Sequence, residues 1–379
     1  MDVGRWVQEP LKTPAFIVDS AQVMANLQAL ASFRRISGCK VLYSIKSLPL
    51  MALLQRIKPW VDGFSVSSLF EAKLAKEILA DEGGVHLTTP GIRADELDEL
   101  AVVCSHISLN SLRQYHAYRP VLAGKTSLGL RVNPKWSVAD DCRYDPCRRH
   151  SKLGVALAEV AAITWPSLDG LHFHTHFAGD NTAPLLATLD RLERHLADRL
   201  ASLSWLNLGG GYLYNQMSDL QVLAQRVIKL RRDYEVDVII EPGKAVLEHA
   251  AFLVSSVQDL LVSDGKTIAV LDTSVNHYQE VFEYQYRPQL AQHYPGGGYS
   301  AILAGSTCLA GDLFGEYRFD RPLKLGDKMV FTNVGAYSLV KANRFNGLNL
   351  PTVYLYHGND RIQVKTYGYS EYRQQLATD

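Results

Sequence analysis

The feature that most restricts this chain is an alternation. Short apolar runs rich in β-branched residues recur between longer stretches of helical period. The runs are 39–46 (CKVLYSIK), 61–68 (VDGFSVSS), 84–90 (GVHLTTP), 106–110 (HISLN), 127–134 (SLGLRVNP), 168–176 (LDGLHFHTH), 203–211 (LSWLNLGGG) and 236–243 (VDVIIEPG). Helix-like segments such as 68–79, 93–102, 181–201 and 218–234 lie between them. Eight strand–helix units in roughly 200 to 250 residues is the arithmetic of a closed parallel (β/α)8 barrel. A doubly wound open sheet is the competing architecture. It is disfavoured because no G-x-G-x-x-G follows the first run and no run reads as an antiparallel edge.

At 379 residues the chain is long for a single core. From about residue 250 the pattern changes to short strands and turns, including AFLVSSVQDL, KTIAVLDTSV, DKMVFTNVG and RIQVKTYG. This reads as a C-terminal antiparallel β domain. The expected division is a barrel over 20–248 and a β domain over 249–379, with 1–19 contributing the strand AFIVD. Neither an internal repeat nor a low-complexity segment is visible.

Composition narrows the class. Hydrophobic residues make up 47% and charged residues 21%, as in an ordinary soluble enzyme. There are 39 basic and 39 acidic residues, so no charge excess favours nucleic acid or a membrane surface as partner. The polar start MDVGR is no signal peptide, and no apolar run approaches ~18 residues. Five cysteines, an odd count, read as reduced thiols in the cytoplasm. Cys142 and Cys147 lack the second pair a structural zinc would need, so no metal is expected.

Polar and reactive residues gather at the C-terminal ends of the runs: Lys46, Ser67, Asn110, Arg131, His174, the glycines 209–211 and Glu241. In a barrel those ends converge on one mouth. Taken alone, Lys46 is best explained as a lysine snorkelling at a strand end. A desolvated lysine there could also serve as a Schiff-base amine. Gly209-Gly210-Gly211 could be a tight turn, or a backbone cradle for an anion. Glu241 could cap a helix or meet a cationic ring nitrogen, with Lys244 adding charge nearby.

The text GLHFHTHF (170–177) raises a separate question, because His172, His174 and His176 alternate. Three imidazoles on one strand face could fill three positions of a zinc site. Same-face neighbours on a strand are ~6.6 Å apart, however, so the outer two do not reach one ion without a bend. The barrel reading separates them: His172 is a hydrogen-bonded residue inside the barrel, His174 stands at the mouth, and His176 lies in the loop that follows.

An amine for an aldehyde, glycines for a phosphate and a carboxylate for a pyridinium together describe pyridoxal phosphate chemistry. At this point the sequence resembles a known family, the fold type III (alanine-racemase-type) pyridoxal-phosphate-dependent decarboxylases, which include ornithine and diaminopimelate decarboxylases. Within that family it looks most like the carboxynorspermidine (carboxyspermidine) decarboxylases. The resemblance runs from Thr13 to about Tyr354. It is carried by Tyr144-Asp145-Pro146-Cys147 with Ser151-Lys152-Leu153-Gly154, then GLHFHT, LGGGY and EPGKA. Later pieces are His277, Glu280-Val281-Phe282-Glu283, Tyr286-Arg287-Pro288, STCLAGD (306–312), Tyr337 and Phe345-Asn346-Gly347.

The resemblance implies roles. Lys46 takes the cofactor's aldehyde and His174 stacks on its ring. Gly209, Gly210, Gly211, Gly243 and Tyr337 surround the phosphate, and Glu241 meets the ring nitrogen. Cys308 protonates Cα. Cys308 and Asp312 would reach into the partner's site of a head-to-tail homodimer. His176, Asp180, His277, Glu280, Glu283 and Asp312 are the expected substrate contacts, since a cationic amine chain calls for acidic lining.

Some text departs from the family. His176-Phe177-Ala178-Gly179-Asp180 replaces the usual Leu-Cys-Glu after HFHT. Ser47-Leu48-Pro49 after the lysine and Tyr278-Gln279 after His277 also differ. The alternative substrates are therefore a diaminopimelate-like molecule or a siderophore or antibiotic precursor. A racemase of this fold would use a second base where Cys308 stands. A non-catalytic binding relative would be expected to lose the cofactor residues that this chain keeps.

Overall fold

The computed structural model describes residues 3–80, 82–139, 141–163 and 168–378. The chain divides into two compact units, Met24–Val246 and Met1–Val23 with Leu247–Asp379. In chain order the strands are β1 (Ala15–Asp19), β2 (Lys40–Ser44), β3 (Gly63–Val66), β4 (Gly84–Thr88), β5 (His106–Leu109), β6 (Ser127–Asn133), β7 (Val155–Ala156), β8 (Gly170–His172), β9 (Trp205–Asn207) and β10 (Asp237–Ile240). They continue as β11 (Ala251–Ser263), β12 (Lys266–Leu271), β13 (Tyr299–Ala304), β14 (Leu313–Phe319), β15 (Lys328–Thr332), β16 (Thr352–His357) and β17 (Asp360–Lys365).

In the unit Met24–Val246, parallel strands run in the order β5-β4-β3-β2-β10-β9-β8-β6, and β6 pairs back to β5. The circle is therefore closed: an eight-stranded parallel barrel, as the alternation predicts. The short β7 adds to β6 outside the circle. Helices start directly at strand ends because the sequence supplies caps. Ser68 and Ser111 accept hydrogen bonds from the Glu71 and Gln114 backbone N–H groups at 3.2 and 3.1 Å. The outer helix Ala183–Leu200 buries Leu185, Leu189, Leu192, Leu196 and Leu200, spaced by three or four residues along one face.

The barrel interior is filled rather than hollow. Trp205 packs with Leu42 and Ile239 and is 2% exposed. A Cβ at Gly129 or Gly170 would come within 2.4 or 2.0 Å of its ring, so both strands need glycine opposite it. The indole Nε1 donates to Ser127 Oγ at 2.8 Å.

Strands are shorter than the runs that announce them. In 168–176 only Gly170–His172 pairs as strand. The Phe173 N–H still donates to the Asn207 carbonyl at 2.7 Å, and the chain then leaves the sheet. A Cβ at Gly209 would stand 2.1 Å from the Phe173 carbonyl oxygen, so the glycine loop occupies the space the strand would need. The three histidines do not share one strand face.

The other unit holds a sheet in the order β14-β13-β12-β11-β1-β16-β17, with β15 pairing β11. The AFIVD strand sits inside it, antiparallel to β11 and parallel to β16. β12 and β13 are also parallel. The sheet is thus mixed, not purely antiparallel as expected. The segment between β12 and β13 is long enough for a crossover and contains the helix Gln279–Tyr284, which is what a parallel pair requires. Trp6, Ile17, Phe252, Val254, Tyr354 and Tyr356 form its core. Among the described residues no helix is long and apolar enough to cross a membrane.

Candidate active site

Lys46 lies in the single 3-10 turn Ile45–Ser47 that ends β2. Glu241 follows β10, which pairs with β2. The two strand ends are bolted together. The Ser44 N–H donates to the Pro242 carbonyl at 3.0 Å, Ser44 Oγ donates to the Glu241 carbonyl at 3.1 Å, and Ser47 Oγ donates to the Ser44 carbonyl at 2.7 Å.

The Glu241 carboxylate is 5% exposed. Its Oε1 accepts from Asn207 Nδ2 at 2.8 Å, and His172 Nε2 lies 3.4 Å from its Oε2. Burial opposes the charge, but His172, Lys46 and the Asn207 amide outweigh it and hold the carboxyl well below the usual carboxylate range. Burial lowers the His172 pKa against the pull of Glu241. The 3.4 Å contact to Glu241 is longer than a normal hydrogen bond.

Burial also lowers the Lys46 amine from the ordinary lysine range, against the pull of Glu241. A neutral amine is the nucleophilic form. His174 is pushed well below the usual imidazole range by burial, with Arg131 and Lys46 adding to it. Its Nδ1 accepts from the Gly210 N–H at 3.3 Å, so the ring proton sits on Nε2.

The glycine loop fits closely against these groups. A Cβ on Gly210 would lie 2.2 Å from the Glu241 carbonyl oxygen, and one on Gly211 would lie 2.0 Å from that of His176. The Gly209 N–H donates to Asn207 Oδ1 at 2.9 Å. Asn207 therefore ties the loop to Glu241 with one side chain. Gly243 is packed against Ser44 and Ser47, with its Cβ position 3.2 to 3.3 Å from their side chains.

Lys46, His172, His174, Arg131 and Glu241 line one cavity of about 320 Å³ in this unit. Arg131 comes from the end of β6, is 8% exposed, and has no carboxylate within ion-pair distance among the described residues. Burial lowers its pKa to about 10, which leaves it charged. A buried, unpaired guanidinium beside a half-buried amine and a buried carboxylate suits a ligand that carries an anion, an aldehyde and a cationic ring nitrogen. The residues present fit pyridoxal phosphate.

The other expected site residues stand elsewhere. His176 is half-buried, edge-on to Tyr212 at 5.6 Å, and Asp180 is exposed; neither lines this cavity. In the second unit, Cys308 is exposed and its N–H donates to Asn346 Oδ1 at 2.8 Å. Asp312 is 2% exposed and bound both to its own loop and to the turn at Val275. Its Oδ1 accepts from the Val275 N–H at 2.8 Å, and its Oδ2 accepts from Thr307 N and Oγ1 at 3.1 and 2.5 Å. His277 is buried with Nδ1 2.9 Å from Thr273 Oγ1. Glu283 is paired with Lys341 at 2.6 Å, and Glu280 is half-buried on the same helix. Tyr337 adopts the left-handed conformation (φ 66°) before the helical turn Ser338–Lys341.

Sequence reading missed Asn207, whose two hydrogen bonds position both Glu241 and the glycine loop. An asparagine inside an apolar strand, two residues before the first glycine, was the available signal. Arg131 stood out only as a polar strand end, without a role.

This arrangement fits pyridoxal phosphate, and comparison with known proteins points to a family that uses that cofactor. The family model described as the C-terminal sheet domain of pyridoxal-dependent decarboxylases matches residues 16–335. The chain is 33% identical to the carboxynorspermidine/carboxyspermidine decarboxylase of Campylobacter jejuni, over 96% of this chain and 98% of that one. It is 34% identical to the carboxyaminopropylagmatine decarboxylase of Synechocystis, over 97% and 96%. The crystal structure of carboxynorspermidine decarboxylase complexed with norspermidine, from Campylobacter jejuni, superposes with a TM-score of 0.88 at 31% identity, covering 96% of this chain and all of that one. The chain belongs to the pyridoxal-phosphate-dependent decarboxylase family.

Proposed function

We propose that this enzyme decarboxylates the α-amino acid end of a carboxylated polyamine, with carboxynorspermidine and carboxyspermidine as first-choice substrates. The observation that carries the reading is the near full-length match, at 33% identity, to an enzyme named for those two substrates. A second reading has its own support: the Synechocystis relative, at 34%, is named for carboxyaminopropylagmatine, whose amine chain ends in a guanidine.

Bound pyridoxal phosphate supplies an electron sink for the charge left on Cα when CO₂ departs. Lys46 would hold the cofactor through its lowered-pKa amine. Glu241, fixed by Asn207, would keep the proton on the pyridine nitrogen. His174, neutral and flat, would lie against the ring. Gly209, Gly210, Gly211, Gly243 and Tyr337 would border the phosphate. Cys308 would deliver a proton to Cα, acting from the partner subunit of a homodimer. His176, Asp180, His277, Glu280, Glu283 and Asp312 remain the proposed substrate contacts, and the cytoplasm is the proposed compartment.

The test is a comparison of kcat/KM for carboxynorspermidine, carboxyspermidine, carboxyaminopropylagmatine and diaminopimelate. The proposal expects the first two to be preferred. Preference for the third selects the second reading, and preference for diaminopimelate contradicts both.

A further inference from the structure

The loop after β6 holds a buried carboxyl group, Asp145, that makes no ion pair among the described residues. Asp145 lines the cavity that contains Lys46 and Glu241, and it is 6% exposed. Its Oδ1 accepts from the Cys147 N–H at 2.7 Å, and its Oδ2 accepts from Ser137 Oγ. Both donors are neutral. Among the described residues no lysine, arginine or histidine comes within ion-pair distance of it. Of the cations lining the same cavity, Arg143 is chelated by Asp141 at 2.7 to 3.1 Å, while Lys46 and Arg131 lie beyond that distance from Asp145.

Residues 146–154, next to Asp145, are tied to the strand ends. Asn133 Nδ2 donates to the Pro146 and Leu153 carbonyls at 3.2 and 2.9 Å, and Ser151 Oγ donates to the Pro146 carbonyl at 2.6 Å. Asn110 donates to the Lys152 carbonyl and accepts from the Gly154 N–H, both at 2.8 Å. A carboxylate fixed in a buried wall without a counter-ion is costly unless a ligand brings the cation. Beside it, Tyr144 also lines the cavity and stacks on Phe177 with centroids 5.1 Å apart. That aromatic wall suits methylene groups and ammonium centres alike.

We propose that Asp145 is a specificity-determining residue that binds an ammonium of the substrate's amine chain. The inference rests on the carboxylated-polyamine reading above. It assigns chain recognition to the barrel unit itself, through the loop after β6. The other carboxylate lining this cavity, Glu241, is engaged by Asn207 and His172.

Asp145→Asn is the test, because an asparagine oxygen can still accept from the Cys147 N–H and keep the turn. Wild-type and variant holoenzymes are compared by cofactor absorbance, by KM for the carboxylated polyamine that turns over best, and by calorimetric affinity for norspermidine. The proposal expects the absorbance to be kept. It expects KM and the norspermidine dissociation constant to rise at least about tenfold, with a smaller change in kcat. A smaller rise in the norspermidine constant, or loss of cofactor absorbance, overturns it and leaves Asp145 a structural residue. If wild-type enzyme releases CO₂ from no carboxylated polyamine, the substrate reading fails on that assay alone, and norspermidine affinity still decides the role of Asp145.

Discussion

At the scale of single residues, the site is a set of polar groups largely withdrawn from water. Glu241 is buried, yet Asn207, His172 and Lys46 keep it ionised. Glu241→Gln preserves the shape and removes the anion. Turnover should fall by about 10²- to 10³-fold, the usual cost of losing one preorganised electrostatic partner. Steady-state kinetics on cofactor-saturated enzyme would detect this, and a change of less than tenfold would be inconsistent with the role. His277 makes a prediction about stability. Burial pushes its pKa down to about 4, against the pull of Asp312. The unfolded imidazole binds a proton near its ordinary value and the folded one does so only near 4. Stability is therefore highest above that ordinary value and falls as pH drops through the interval, by on the order of 3 kcal/mol when complete. Denaturant titrations across this range should flatten in His277→Gln.

Lys46, the glycines and Glu241 could be read from sequence because each ends a strand-like run and has a distinct chemistry. Asn207 and Asp145 could not. Their importance lies in what they touch across 34 residues and across a cavity wall, which a polar residue in an apolar strand or a motif position does not by itself reveal.

At the scale of elements, the eight runs were legible because parallel barrel strands are buried on both sides and read as continuous apolar text. Their ends were not. GLHFHTHF keeps alternating past His172, while the backbone leaves the sheet to clear the loop at Gly209. Periodicity records which faces are apolar, not where pairing stops. The parallel pair β1–β16 was invisible for a different reason, since it joins segments from opposite ends of the chain. The barrel interior supplies a test at this scale. Trp205 fills space that Gly129 and Gly170 leave for it. Trp205→Ala should cost about 3 to 5 kcal/mol of stability, the range for a large side chain lost from a core. Thermal or denaturant unfolding measures this, and a loss below 1 kcal/mol would mean that the interior re-collapses.

At the scale of the whole molecule, the proposal divides one active site between two subunits. Lys46 belongs to the barrel unit and Cys308 to the sheet unit. If Cys308 serves the partner's site, Lys46→Ala and Cys308→Ala proteins, each inactive, should complement when mixed and allowed to exchange subunits. Random exchange gives half mixed dimers, each with one intact site, and so about a quarter of wild-type activity. No recovery, with exchange verified by mass spectrometry, would place both residues in the same subunit's site or remove Cys308 from catalysis.

The central claim is that Lys46 and Glu241 at this barrel mouth run a pyridoxal-phosphate decarboxylation of a carboxylated polyamine. The most direct measurement is CO₂ release from carboxynorspermidine and carboxyspermidine by purified holoenzyme, beside Lys46→Ala under the same conditions. The account predicts stoichiometric CO₂ and polyamine from the wild type, with neither product from the variant. Wild-type protein that binds the cofactor but releases no CO₂ from either substrate, or a variant that still turns them over, would contradict it.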